Sequence, residues 1–163
     1  MSNHKFVIVN EQDNVIGAKE KEAITAQDIY RVSALWITNS QGDILLAQRS
    51  FNKVNHPGRW ALAVAGTVEV GETYEENIKK EAREEIGLQD VIVSLGPKFL
   101  VNDATKFYLQ IFTTVVDRTA ESLTLKKDEV EDIKWFPQKE LKQEITAHPE
   151  KFTPFTVEHY QEL

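Results

Sequence analysis

The chain has 163 residues, 41% of them hydrophobic and 28% charged, with a formal net charge of −7 and no cysteine. That length suits one domain able to bury a core, and the missing cysteines exclude disulfides, thiolate nucleophiles and cysteine-ligated zinc. So acidic a chain is a poor non-specific binder of nucleic acid, its apolar runs are too short to span a bilayer, and the opening Met1-Ser2-Asn3-His4-Lys5 lacks a leader-like apolar region. The expectation is a soluble, cytoplasmic protein, with neither a membrane nor a nucleic-acid polymer as partner. A phosphate-bearing substrate would need a cation to bridge it to this chain.

In chain order, residues 5–9 alternate weakly and predict a strand. Asn10 to Asn14 is a polar turn, and Val15-Ile16-Gly17 predicts a short returning strand, giving an N-terminal hairpin over about 5–20. Residues 18–30 carry no clear period. Arg31 to Thr38 predicts a strand. The turn cluster Asn39–Asp43 follows, and Ile44–Ala47 is its hairpin partner. Ser50 to Gly58 is a loop ending in Pro57-Gly58, and Trp60 to Ala65 is a further apolar run. Thr73 with Glu76 forms a capping box that opens a helix, and Gly87 stops it. Strands are expected at 91–95, 107–116 and 130–136. Helices are expected from Pro137 to about Ile145 and from about Pro154 to Gln161. Strands interleaved with a few helices predict a mixed-sheet α/β or α+β domain over 1–163.

The helix over 74–86 is chemically odd. At about 100° per residue, Tyr74, Ile78, Ala82 and Ile86 share one apolar stripe. Glu85 falls inside that stripe, Glu81 at its edge and Glu84 farther round. Like charges one turn apart destabilise a helix, and an unpaired buried carboxylate costs far more. A Glu-rich helix is usually only a solvated face, but Glu85 does not sit on such a face. A bound cation would relieve both penalties.

The residues upstream make the pattern specific. Gly66, five residues, Glu72, seven residues, then Lys80-Glu81-Ala82-Arg83-Glu84-Glu85-Ile86-Gly87-Leu88 resembles the Nudix box, G-x5-E-x7-R-E-U-x-E-E-x-G-U, where U is a bulky aliphatic. Six exact positions match, with a chance expectation on the order of 10⁻⁷ per starting point at average residue usage. Lys80 stands where Arg is expected and Ala82 where a larger aliphatic is usual. Lys80 keeps the charge but loses the bidentate fork; Arg83 is an alternative partner for Glu72.

Leu45-Leu46-Ala47-Gln48-Arg49-Ser50, Pro57-Gly58-Arg59-Trp60 and Asp128-Glu129-Val130 with Trp135 are similar to the isopentenyl-diphosphate isomerase branch of that superfamily. Those isomerases place a catalytic cysteine before the box glycine and a histidine after it. Here the two positions hold Ala65 and Thr67, and two further metal-binding histidines align near Ile24 and Arg31. The resemblance therefore implies a Nudix fold, a mixed sheet between helices, and hydrolysis rather than isomerisation. An isomerase using other residues and a non-catalytic Nudix-fold binding module are the rival readings.

By that resemblance the cofactor is Mg²⁺, with Mn²⁺ as the alternative. Glu81 and Glu85 are the expected ligands, Glu84 a ligand or an outer partner, and the Gly66 carbonyl a further donor. Glu72 is expected to orient the helix carboxylates through Lys80 or Arg83. The general base is a box glutamate or the off-helix Glu129. Arg49, Lys53 and His56 are candidate substrate contacts, although Arg49 reads equally well as half of a surface salt bridge and residues such as Lys53 and His56 are mostly only solvated. Trp60 reads as core and Phe51 as core or stacking surface. The partner is a small-molecule diphosphate, with nucleoside diphosphate derivatives, dinucleotides and isoprenoid diphosphates all open. Homodimerisation is compatible with the resemblance.

Overall fold

The computed structural model describes residues 4–163; residues 1–3, which begin the N-terminal stretch read above, lie outside it. The frame is set by β3 (Ile29–Thr38), a ten-residue run buried from Ser33 to Ile37. On one edge β3 pairs in parallel with β8 (Lys106–Val115) along its whole length. Three partners share the other edge. These are β1 (Lys5–Val9) at its start, β6 (Val64–Thr67) in the middle and β4 (Ile44–Arg49) at its end. The β3–β4 hairpin holds for only two residue pairs, Ile37–Leu45 and Thr38–Ile44. Beyond them β4 leaves β3 to pair with β9 (Val130–Phe136) and β5 (Trp60–Leu62). Outer strands β2 (Val15–Glu20), on β1, and β7 (Ser94–Asn102), on β8, complete a mixed sheet of nine strands among the described residues.

Strand alternation sorts the core into two layers. Leu35 and Ile37 face α1 (Tyr74–Ile86), meeting Leu45, Ile78, Ala82 and Ile86. Ala34 and Trp36 face the opposite way, towards Leu46, Phe152 and the buried Leu141 and Ile145 of α2 (Gln138–Ala147). The short α3 (Pro154–His159) closes that second layer and runs on into a 3₁₀ turn at Tyr160–Glu162. The sheet thus lies between helices, as expected.

One local expectation is corrected, and two stretches without an assigned element gain one. The strand expected at 91–95 is β7, over Ser94–Asn102. Gly96-Pro97 sits in a register shift between Leu95 and Lys98, and the strand continues past it. Among the described residues β7 pairs only with β8, so Pro97 needs no donor on the outer edge. The apolar run 60–65 breaks at Ala63 into β5 and β6. The unread stretch 18–30 carries the end of β2, a 3₁₀ turn at Lys21–Ala23 and the start of β3.

One polar cluster was not anticipated. Asp13, in the β1–β2 turn with φ of 60°, accepts from Arg31 Nε at 2.7 Å, Lys98 Nζ at 2.7 Å and Tyr74 Oη at 3.0 Å. Burial works to raise its pKa, but these three donors outweigh it and hold the carboxyl below its usual value. Arg31 stands where the isomerase resemblance aligns a metal-binding histidine. Here it is an ion-pair partner of Asp13.

Candidate active site

Helix α1 is fixed at both ends. Thr73 Oγ1 accepts from Glu76 N at 3.1 Å, and Glu76 Oε2 accepts from Thr73 N at 2.8 Å. Gly87 takes a left-handed φ of 69° at the C-cap, with Gly87 N donating to Arg83 O and Leu88 N to Ala82 O. Between the caps Ile78, Ala82 and Ile86 are wholly buried, so the rotation of the helix about its axis is determined. That rotation drives Glu85 inward, where it is only 9% exposed.

Strand β6 lies beside α1 and supplies Gly66. A Cβ at Gly66 would stand 2.3 Å from Glu81 Cγ and 2.6 Å from Cδ. Only a glycine lets the Glu81 carboxylate pass so close to this strand. Below it, Lys80 Nζ donates to Glu72 Oε1 at 2.5 Å and lies 3.8 Å from Glu81 Oε1. Lys80, not the exposed Arg83, therefore joins Glu72 to the helix carboxylates. Asn77, wholly buried on α1, was missed in the sequence. Its Nδ2 donates to Glu72 Oε2 at 2.9 Å and to Thr67 O at 3.0 Å, and its Oδ1 accepts from Ser33 Oγ. Its signal was available, because an amide beside the apolar Ile78 stripe must find partners.

The electrostatics follow from this crowding. Burial raises the Glu85 pKa to about 8, with repulsion from Glu81 and Glu129 adding to it. Burial raises Glu81 to about 7; Lys80 opposes the shift, and Glu84, Glu129 and Glu72 reinforce it. Glu72 goes the other way. Burial would raise it, but Lys80, the Glu69 N–H and Asn77 stabilise the charged form and leave its pKa lowered. Burial would lower the Lys80 pKa, but its contacts, led by Glu72, leave it raised.

Glu85 opens into a cavity of about 570 Å³, where β4 diverges from β3. Ala65 lines the wall beside it. Arg49, Lys53, His56 and Glu129 line the same cavity, so all three candidate substrate contacts and the off-helix carboxylate come together with Glu85. Lys53 is ion-paired to Glu129. Burial lowers the Arg49 pKa against the attraction of Glu129 and Glu85, and its Nε donates to Asn55 O at 2.9 Å. His56, with φ of 51°, contacts Asp103 Oδ2 across the mouth at 2.6 Å. Glu84 is exposed on α1 and is not part of the lining. Trp60 is partly buried in the second layer, edge-on to Phe136 at 5.4 Å between ring centroids. Phe51 is exposed and covers Gly58.

The donor set suits a hard divalent cation. Two carboxylates are held one turn apart, each with its charged form disfavoured by burial and by the other acidic groups. Among the described residues, no three acidic or histidine side chains converge on one point. Ligation by more than two of them would need a side-chain rotation.

Comparison with known proteins agrees with this geometry. Residues 29–156 match the model of the NUDIX domain, and the chain belongs to the Nudix family. It is 29% identical to an uncharacterised Nudix hydrolase of Yersinia pestis, over 90% of this chain and 78% of that protein. It is 32% identical to the isopentenyl-diphosphate Delta-isomerase of Brevibacterium linens, over 96% of this chain and 90% of the relative. A crystal structure of DR0079 from Deinococcus radiodurans superposes with a TM-score of 0.82 at 24% identity, covering 97% of this chain and 98% of that one. The NUDIX domain of Shewanella oneidensis NrtR in complex with ADP ribose shares the fold with a TM-score of 0.59 at 20% identity, over 77% and 82% of the two chains. The chain is accordingly a hydrolase of the family that acts on phosphorus anhydrides, a family that generally uses divalent metal ions.

Proposed function

We propose that the chain is a Mg²⁺-dependent hydrolase cleaving the diphosphate linkage of a small organic diphosphate. Placement of Glu85 in one cavity with Arg49, Lys53 and Glu129 is the observation that carries this reading. Glu81 and Glu85 would hold the metal, with the Gly66 carbonyl and Glu84 as further donors; Mn²⁺ suits the same oxygen set. Such an ion, when bound, would supply charge neutralisation at the phosphates and activation of water.

The chain's own residues do the rest. Arg49 and Lys53 donate to phosphate oxygens and hold the anhydride over Glu85. His56 reaches the same space from the rim. When Lys53 turns to the substrate, Glu129 loses its ion-pair partner and takes a proton from the attacking water. The water oxygen then bonds to phosphorus as the bond to the leaving phosphate oxygen breaks. Lys80 and Glu72 keep Glu81 in place throughout.

Isomerase relatives raise the alternative of an allylic rearrangement. Ala65 lies on the cavity wall beside Glu85, at the position of the isomerase cysteine, and a methyl group there supplies no acid. That observation favours hydrolysis. A panel of diphosphates, isopentenyl diphosphate included, incubated with Mg²⁺ and read for phosphate release and for rearrangement tests both readings. Phosphate release is expected, and Glu85→Gln should reduce it at least about a hundredfold with the circular dichroism spectrum unchanged. Undiminished turnover by that variant would refute the site.

A further inference from the structure

The charged groups of the cavity are confined to one end and to its mouth. Away from Glu85, the wall between β3, β7, β8 and α3 is apolar. Phe99, Val101, Phe107 and Phe155 stand there only partly buried. Phenylalanines left partly exposed along one concave wall give the core an accessible apolar face that a ligand can cover. Ala34, on the same sheet face, and Ala47 and Ala63 also line the cavity, and their small side chains leave the space open.

Polar side chains on this lining have other work. Gln48 Nε2 donates to Gly58 O at 3.0 Å, and Thr153 Oγ1 meets Thr156 Oγ1 at 2.8 Å. His159 Nδ1 meets Glu162 Oε1 at 3.0 Å. Asn102 and Glu158 are exposed at the rim. The aromatic faces are also largely taken up by one another. Phe99 lies edge-on to Phe155 at 5.2 Å, and the His159 ring is tilted against both at 4.5 and 4.7 Å. A nucleobase would bring several donors and acceptors into this space, where they would lose water and find few partners. A hydrocarbon group would lose nothing.

We infer that the Phe99–Val101–Phe107–Phe155 wall is the subsite for the organic group of the substrate, and that this group is compact and apolar: an alkyl or aryl diphosphate in preference to a nucleoside diphosphate. The inference rests on the hydrolase reading for the placing of the diphosphate at Arg49 and Lys53, and it adds what lies beyond. Affinity then grows with hydrocarbon size until the cavity is filled, and a polar group set into the wall removes the gain.

Two measurements on the intact chain separate the two readings. The first is Mg²⁺-dependent hydrolysis of methyl, butyl, phenyl and uridine diphosphate. The second is calorimetric binding of the matching methylene-bridged diphosphonates, which cannot be cleaved at the bridge. Butyl should bind about tenfold or more tightly than methyl, as expected for three added methylenes, and more tightly than uridine. Val101→Asn should shrink the butyl-to-methyl ratio in KM and in binding. A preference for the uridine compounds, or a ratio unmoved by Val101→Asn, overturns the subsite while leaving the hydrolase reading intact. Selective binding of the butyl diphosphonate with no hydrolysis of any diphosphate supports the subsite and overturns the hydrolase reading.

Discussion

Glu81 and Gly66 form a matched pair. The carboxylate occupies the volume where any larger residue at 66 would place its Cβ, so glycine is required here by a neighbouring side chain rather than by its own backbone angles. Gly66→Ala should push Glu81 off β6 and away from Glu85. We expect metal affinity to fall about tenfold or more, with a stability loss of about 1–3 kcal/mol from overpacking. Mn²⁺ titration and urea unfolding would measure the two, and an alanine variant with unchanged metal affinity would show that the close contact is incidental. Lys80 is the other residue whose role depends on a neighbour. Its single charge serves Glu72 first and Glu81 at longer range, which is why the departure from Arg leaves the connection in place.

Element-scale reasoning turns on α1, the part of the chain most legible in advance. Its caps, its apolar stripe and the inward Glu85 all follow from spacing alone, because helix period and capping are local physics. Thr73→Ala removes one half of the capping box and should cost about 1 kcal/mol; a melting temperature unchanged within error would mean that tertiary packing alone holds the helix start. The β7 strand shows where local reading stops. Gly96-Pro97 ends a strand on propensity, yet β8 pairs on both sides of it and the shift in register absorbs the proline. The cavity was illegible for the same reason. Arg49 at the end of β4, with Lys53 and His56 in the loop after it, was readable as a candidate, but Phe99, Val101 and Phe155 come from β7 and α3, far apart in the chain. Only the sheet's topology brings them to one wall. Asp13 belongs to this class too, since its partners lie on other elements.

Across the whole molecule, acidity and burial meet in one pH dependence. The pKa values of Glu81 and Glu85, about 7 and about 8 in the folded chain, exceed the ordinary carboxylate value of an unfolded one. The folded state therefore holds protons that the unfolded state has released. Without metal, stability contributed by these groups is fully present below the ordinary glutamate range and is lost as pH rises towards 8. A bound divalent cation replaces those protons, so Mg²⁺ should stabilise more at pH 8.5 than at pH 6. Thermal melts with and without millimolar Mg²⁺ at the two pH values would show it; an equal shift at both would argue that the cation does not bind at these carboxylates.

The Asp13 cluster bears on how the fold comes apart. One carboxylate holds the β1–β2 turn, β3, the first turn of α1 and β7 through Arg31, Tyr74 and Lys98. Elements tied at a single point cannot fray one at a time, because releasing any of them strands a charge or a hydroxyl at the junction. The N-terminal hairpin, which as an outer two-stranded ribbon would otherwise be the first part to open, is thereby joined to the same cooperative unit as α1. Amide protons of the hairpin and those of α1 would then exchange with solvent through a shared opening event.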